Sequence, residues 1–175
     1  MDPLEARIRA AVRDIPDFPK PGIIFKDITT VLRDGPLFAD IVDAMVAPWR
    51  RLEITHVVAI ESRGFIFGAP IAQQLRAAFV PMRKPGKLPA AVRREEYDLE
   101  YGRDALEVHQ DAMSRGARAL IVDDVLATGG TAAAACRLAQ QFGVPIVGCA
   151  FLIELGFLHG RDLLGDRRTE ALVRY

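Results

Sequence analysis

The sequence predicts an α/β fold: a mostly parallel, twisted sheet flanked by helices, in a single domain spanning 1–175. Three observations predict it. Short apolar runs of strand length (Ile54 to Ile60, Phe79 to Met82, Ala119 to Val122, Ile146 to Ile153) alternate with segments of helical periodicity. Two of the runs lead into turns rich in polar chemistry, E-S-R-G after Ile60 and D-D-V-L-A-T-G-G-T after Val122. In such sheets ligands collect beyond the carboxyl ends of the strands. Finally, 175 residues that are 50% hydrophobic and 26% charged suit one globular domain with a substantial core.

Asp2 is placed to cap a first helix, with Pro3 at its first position and Glu5 completing a capping box. Leu4, Ile8, Ala11 and Val12 would share one face of it. The segment D-I-P-D-F-P-K-P-G (Asp14 to Gly22) should then break regular structure, with three prolines and a glycine. Leu37, Phe38, Ile41, Val42, Met45, Val46 and Trp49 recur at helical spacing and predict an amphipathic helix. Ile54 to Ile60 reads as a buried strand, Phe65 to Leu75 as a helix, and Phe79 to Met82 as a short strand.

From Arg83 to Glu107 the character changes. R-K-P-G-K-L-P is a basic loop punctuated by proline and glycine. Tyr97, Leu99 and Tyr101 alternate with charged residues, Gly102 offers a turn, and Leu106 and Val108 alternate again, which is a hairpin pattern. The sheet resumes at Ala119 to Val122, crosses over through a helix from Thr131 to Phe142, and continues at Ile146 to Ile153. No internal repeat, low-complexity stretch or interdomain linker interrupts the pattern.

Charge and composition exclude several classes. Lys plus Arg and Asp plus Glu number 23 each, and a chain without a basic excess is a poor binder of nucleic acid through phosphate contacts. No apolar stretch is long enough to span a bilayer, and the charged N-terminus lacks the apolar centre of a signal peptide. A cytoplasmic protein without a membrane partner is expected. Cys136 and Cys149 read as small core hydrophobes. His56, His109 and His159 show no metal-ligand spacing, which argues against a zinc site.

The chemistry concentrates in Ala119 to Thr131. Gly129 and Gly130 allow close backbone approach, Thr131 can cap the next helix, and successive amides opening onto a helix N-terminus suit phosphate. The loop lacks the G-K-[ST] ending of a nucleotide P-loop. The adjacent Asp123 and Asp124 therefore suit sugar hydroxyls or a phosphate-bound metal. The plainer alternative is a strand-end Asp capping a helix before an ordinary glycine turn. Two acids and T-G-G-T in register favour the phosphate reading.

This loop resembles the ribose-phosphate signature of the phosphoribosyltransferases. The chain is similar to the adenine phosphoribosyltransferase subfamily in five segments taken in order. They are F-P-K-P-G-I-I-F-K-D-I-T (Phe18 to Thr29), E-S-R-G-F-I-F-G-A-P (Glu61 to Pro70), V-P-M-R-K-P-G-K-L-P (Val80 to Pro89), E-E-Y-D-L-E-Y-G (Glu95 to Gly102) and the loop itself.

The resemblance implies a type I phosphoribosyltransferase fold with a small N-terminal hood, approximately 1–35, and a lid loop and hairpin, approximately 83–108. It implies a purine salvage enzyme that converts adenine and 5-phosphoribosyl 1-diphosphate (PRPP) to AMP and pyrophosphate. Asp123, Asp124, Ala127, Thr128, Gly129, Gly130 and Thr131 would hold the ribose and 5-phosphate. Ser62, Arg63, Arg83, Lys84 and Lys87 would bind pyrophosphate, with an unusual cis peptide between Ser62 and Arg63. Ile24 and Lys26 would read adenine through backbone groups, and Phe25, otherwise a core ring, would stack on it. Glu100 would handle the proton at the purine, and Tyr101 would pack near the ribose under the closed lid. Magnesium is the implied cofactor, held mainly by PRPP and water and not by direct side-chain ligation. A homodimer is implied, with the basic loop reaching the neighbouring site.

Thr30 stands where the family commonly has proline, and the C-terminal tail matches more loosely, though it keeps an apolar strand ending in tyrosine. A regulator built on the same fold should carry a nucleic-acid-binding extension or a basic face and lose lid residues. This sequence shows neither feature and keeps Glu100. An enzyme for hypoxanthine or guanine should place a lysine and an aromatic late in the chain, and the region after Ile153 has no clear equivalent.

Overall fold

The structure, a computed structural model, describes residues 2–99 and 102–175. The chain divides into two compact units, Met1–Ala44 and Met45–Tyr175.

In the first unit, helix α1 (Pro3–Ala11) begins with Asp2 accepting the Leu4 N–H at 2.7 Å. Glu5 does not complete the expected box; its carboxylate takes the Arg9 guanidinium one turn later, at 2.8 and 2.9 Å. The proline-rich segment is more ordered than its composition suggests. Strand β1 (Arg13–Pro16) pairs antiparallel with β2 (Ile24–Asp27), placing Asp14 opposite Lys26 and Ile15 opposite Phe25. Pro16 sits at the strand's last position, where a missing N–H is tolerated. Between the strands Gly22 N–H donates to Asp17 Oδ1 at 2.7 Å, and Phe18–Pro19 is cis. A short α2 (Thr29–Leu32) follows, its first N–H donating to Asp27 Oδ1 at 2.9 Å. Helix α3 (Gly35–Val46) buries Leu37, Ile41, Val42, Met45 and Val46, the stripe its periodicity predicts. The end of α3 and the 3-10 turn that follows it, with the buried Trp49, already belong to the second unit.

The second unit is built on a five-stranded parallel sheet of β3 (His56–Ile60), β4 (Ala78–Met82), β7 (Ala119–Leu126), β8 (Ile146–Glu154) and β9 (Thr169–Arg174), in the order β4-β3-β7-β8-β9. Helix α4 (Arg63–Leu75) connects β3 to β4, and α5 (Gly130–Gln140) connects β7 to β8. An antiparallel hairpin, β5 (Val92–Leu99) with β6 (Gly102–His109), departs from the sheet as expected.

Alternation along the strands sorts the core into two faces. Val58, Ile60, Val80, Met82, Ile121, Cys149 and Phe151 pack with the alanine-rich face of α5 and with Tyr97, Leu106 and Val108 of the hairpin. Ala59, on the opposite side of β3, lies directly against Gly68 of α4. Helices thus cover both faces of the sheet. The hairpin is fastened to α5 by Arg137 Nε on Glu95 at 2.6 Å, and to the turn after α5 by Arg93 stacked 4.3 Å over Phe142. A backbone bridge between Arg83 and Glu107 ties it to the end of β4. Cys136 and Cys149 are buried, reduced core residues with sulfurs 3.7 Å apart. Among the described residues no helix is long and apolar enough to cross a membrane.

One boundary matters for function. β7 does not stop at Val122: it continues to Leu126, with Asp123 opposite Phe151 and Val125 opposite Ile153. Ladder hydrogen bonds use the backbone, so polar side chains do not end the strand.

Candidate active site

The carboxyl end of the sheet gathers most of the residues that carry polar chemistry. Asp123 and Asp124 lie in the second half of β7, and Asp124 N–H donates to Asp123 Oδ1 at 2.9 Å. The first residues of α4 press directly on them: a Cβ on Gly64 would sit 2.9 Å from both Asp123 Oδ1 and the Val122 carbonyl. Only glycine permits that approach. Arg63, one residue earlier, brings Nε to 2.8 Å from Asp124 Oδ2. That contact is a charge pair, not an aligned hydrogen bond: Asp124 Oδ2 is buried and receives no hydrogen-bond donor among the described residues.

Burial and the neighbouring Asp124 charge push Asp123 well above the ordinary carboxylate range. Burial also raises Asp124, against the pull of Arg63. Two acids are therefore held at close quarters with an acceptor unfilled. That arrangement suits hydroxyl donors.

The loop that follows has Ala127 and Thr128 in a bend and Gly129 at φ 84°, immediately before Gly130 starts α5. Gly129, rather than Thr131, occupies the cap position, and no side chain caps the helix. Thr131 falls inside the first turn, where its hydroxyl donates to Tyr97 Oη at 3.3 Å. No acidic residue stands in the first turn of α5 to offset its dipole, an electrostatic condition that favours an anion there.

The four expected pyrophosphate cations are each engaged by an acid. Arg63 faces Asp124. Glu61, the residue after β3, is 9% exposed and accepts from Arg83 Nε at 3.2 Å, Lys84 N–H at 2.9 Å and Lys87 Nζ. Burial would raise the Glu61 carboxyl, but hydrogen bonds from Lys87, Arg83 and the Lys84 amide outweigh it and lower it to about 2. Lys84 Nζ goes instead to Asp104 and, at 2.9 Å, to Tyr97 Oη, which in turn donates to Asp104 at 3.1 Å. Desolvation lowers Lys84, but Asp104 and Tyr97 outweigh it and raise its pKa.

Ser62 lies between Glu61 and the first residue of α4. The cis peptide expected at Ser62–Arg63 is found one bond earlier, at Glu61–Ser62. Ser62 already has helical angles and Arg63 is the first helical residue, so the chain reverses at the end of the strand and not inside the helix.

Ile24, Phe25 and Lys26 lie together on β2 of the first unit. Ile24 is exposed, Phe25 meets Phe18 edge-on with ring centroids 5.2 Å apart, and Lys26 Nζ pairs with Asp14 at 2.7 Å. Glu100 and Tyr101 lie outside the described residues. Glu61, Tyr97 and Asp104 were not singled out from sequence. The available signal was the facing of an acid at the end of one strand, Glu61, by a basic loop at the end of its neighbour.

Residues 29–168 match the phosphoribosyl transferase domain. An adenine phosphoribosyltransferase of Xanthomonas campestris pv. campestris is 60% identical over 165 residues, covering 94% of this chain and 89% of that protein. The solved adenine phosphoribosyltransferase of Rhodothermus marinus is 49% identical, with a TM-score of 0.94 and 98% of each chain covered. That of Trypanosoma brucei, solved in complex with AMP, pyrophosphate and ribose-5-phosphate, has a TM-score of 0.91 at 26% identity, covering 99% of this chain and 80% of that one.

Proposed function

We propose that this chain, which belongs to the phosphoribosyltransferase family and within it to the adenine phosphoribosyltransferases, transfers the phosphoribosyl group of PRPP to adenine, releasing AMP and pyrophosphate. The observation that carries the reading is the buried Asp123–Asp124 pair, with an acceptor lacking a donor among the described residues, a short loop before a helix N-terminus whose first turn holds no acidic residue. The ribose diol supplies hydroxyl donors for the pair. The backbone amides of Ala127 to Thr131 take the 5-phosphate, supported by the helix dipole.

In the reaction an imidazole nitrogen of adenine forms a bond to the anomeric carbon as the bond to the pyrophosphate oxygen breaks. Positive charge develops on the ribose in an oxocarbenium-like state, and negative charge on the leaving group. Arg63, Arg83, Lys84 and Lys87, with Ser62, stabilise the leaving pyrophosphate. Phe25 stacks on adenine, and backbone groups of Ile24 and Lys26 read its edge. Glu100 holds or moves the purine proton. Tyr101 packs against the ribose as the hairpin closes, which excludes water. The segment of about 1–35 serves as hood and that of about 83–108 as lid.

Magnesium is the expected cofactor. Among the described residues no group of three or more His, Cys, Asp or Glu could hold a metal. Substrate phosphates and water would supply most of its ligands, as is usual for this ion, and it would neutralise charge on the diphosphate. The active form is a homodimer in which the basic loop carrying Arg83 reaches the neighbouring site, and the protein works in the cytoplasm.

A steady-state assay with PRPP, magnesium and each purine base in turn tests the function. AMP from adenine is the expected product, and robust turnover of hypoxanthine with none of adenine would refute the assignment.

A further inference from the structure

We propose that the segment 156–164 is a rigid backstop for the phosphate loop, and that Glu154 and Arg161 are positioning residues that lock it there. The inference rests on the reading of Ala127 to Thr131 as the 5-phosphate cradle. Two stretches of backbone touch with no side chain between them. A Cβ on Gly160 would lie 2.1 Å from the Ala127 carbonyl oxygen and 2.8 Å from Gly129 N, and one on Gly129 would lie 2.2 Å from the Gly160 carbonyl oxygen. Gly129 and Gly130 make the front of the loop adaptable, so something behind it must hold its amides in one arrangement. Gly160, buried in the following 3-10 turn, occupies that place.

The next residue fixes Gly160. Arg161 grips the buried Glu154 with two nitrogens, Nε at 3.2 Å and Nη2, while its Nη1 donates to the Thr169 carbonyl at 2.7 Å. Glu154 is the last residue of β8, paired in register with Leu126, the last residue of β7 before the loop. Arg174 Nε adds a second cation 3.6 Å from Glu154. Leu155 N–H donates to the Leu126 carbonyl at 2.9 Å, and Tyr175 N–H to the Glu154 carbonyl at 2.9 Å. The start of the backstop is thereby tied to the end of β7, and its middle, through Arg161, to the end of β8. The planar guanidinium spans two partners at once, which a lysine ammonium does not reproduce.

A purely structural ion pair would weaken the whole enzyme; a backstop weakens one subsite. The experiment measures inhibition of AMP formation, against PRPP, by ribose 5-phosphate and separately by pyrophosphate, in Arg161→Lys, Glu154→Gln and Gly160→Ala. A misplaced recognition loop costs roughly ten- to a hundredfold. The expected result is a loss of that size in ribose 5-phosphate inhibition and in KM for PRPP, with kcat and pyrophosphate inhibition near wild type. Should Gly160→Ala fail to fold, the other two variants decide. Equal loss for both inhibitors, or loss for neither, overturns the inference. Wild-type protein that forms AMP but is not inhibited by ribose 5-phosphate overturns the cradle and the backstop with it. Wild-type protein that forms no AMP overturns the functional reading first.

Discussion

Glu61→Gln should cost stability in a way that pH reveals. The Glu61 carboxylate is 9% exposed and holds Arg83, Lys87 and the Lys84 amide. Those partners bring its pKa from 4.5 to about 2 despite burial. At about 1.4 kcal/mol for each tenfold change in proton affinity, the difference stands for about 3 kcal/mol of preference for the ionised form. Arg83 and Lys87 are 34% and 48% exposed, so solvent screens part of the attraction. The expected cost of the substitution near neutral pH is therefore about 1–2 kcal/mol.

The sign follows from linkage: a carboxylate depressed in the folded state adds stability above its unfolded pKa, and that stability is lost as pH falls through the folded value. The gap between wild type and Glu61→Gln should be full at pH 6–7 and close as the pH falls from 4.5 towards about 2. Urea unfolding of both proteins across this range measures it, and at neutral pH Tm should differ by roughly 2–6 °C. Parallel loss of stability in the two proteins from pH 7 to 3 would refute the assignment of Glu61 as the anchor of the basic loop.

Asp123→Asn should raise KM for PRPP about ten- to a hundredfold, the loss of a buried hydrogen-bonding carboxyl, yet hold or raise Tm. The folded pKa of Asp123 is raised, so its proton stabilises the fold at low pH and that benefit is lost as pH rises through the folded value; an amide removes the loss, and Tm scans from pH 4 to 8 show the gap widening. Asp124→Asn should weaken PRPP use comparably. Tyr97→Phe removes the hydroxyl that bonds Lys84, Asp104 and Thr131 and should destabilise by about 1 kcal/mol in urea unfolding. Glu100→Ala and Glu100→Gln should both lower kcat by about 10²–10⁴-fold with Tm and KM for PRPP little changed. A Glu100→Gln variant that keeps most activity would mean that the residue orients adenine by hydrogen bonding.

The sheet was legible in the sequence because its apolar runs must be buried on both faces, and Val57 to Ile60 and Leu120 to Val122 are indeed fully covered. The hairpin was legible for a related reason: Tyr97, Leu106 and Val108 alternate with polar residues and turn inward together. Composition misled where backbone hydrogen bonds decide. The Asp14 to Gly22 stretch reads as a breaker, yet β1 needs only a short ladder and can end on Pro16. The acids of β7 looked like a strand end, but pairing to β8 carries the strand three residues past Asp123. The gathering of Glu61, Arg83 and Lys87 was not legible, since it depends on β3 and β4 being parallel neighbours that deliver their ends to one place. The Gly129–Gly160 approach joins residues with no periodicity in common and could come only from the fold.

The distribution of charge makes sense as preparation for an anionic ligand. Four cations left unpartnered in one cleft would repel one another, and the chain instead holds them on Glu61, Asp104 and Asp124. The partners differ in what a ligand must undo. Lys87 and Arg83 are about a third to a half exposed, so in the proposed reaction their pairing with Glu61 would exchange for a diphosphate that carries more charge. Asp124 is 5% exposed, and its Oδ2 faces Arg63 without an aligned donor. A buried acceptor left in that state costs about 1–3 kcal/mol. In the proposed complex a ribose hydroxyl donating to Oδ2 would recover that cost while Arg63 keeps its place beside Asp124. The fold thus carries a local defect whose natural remedy is the proposed substrate.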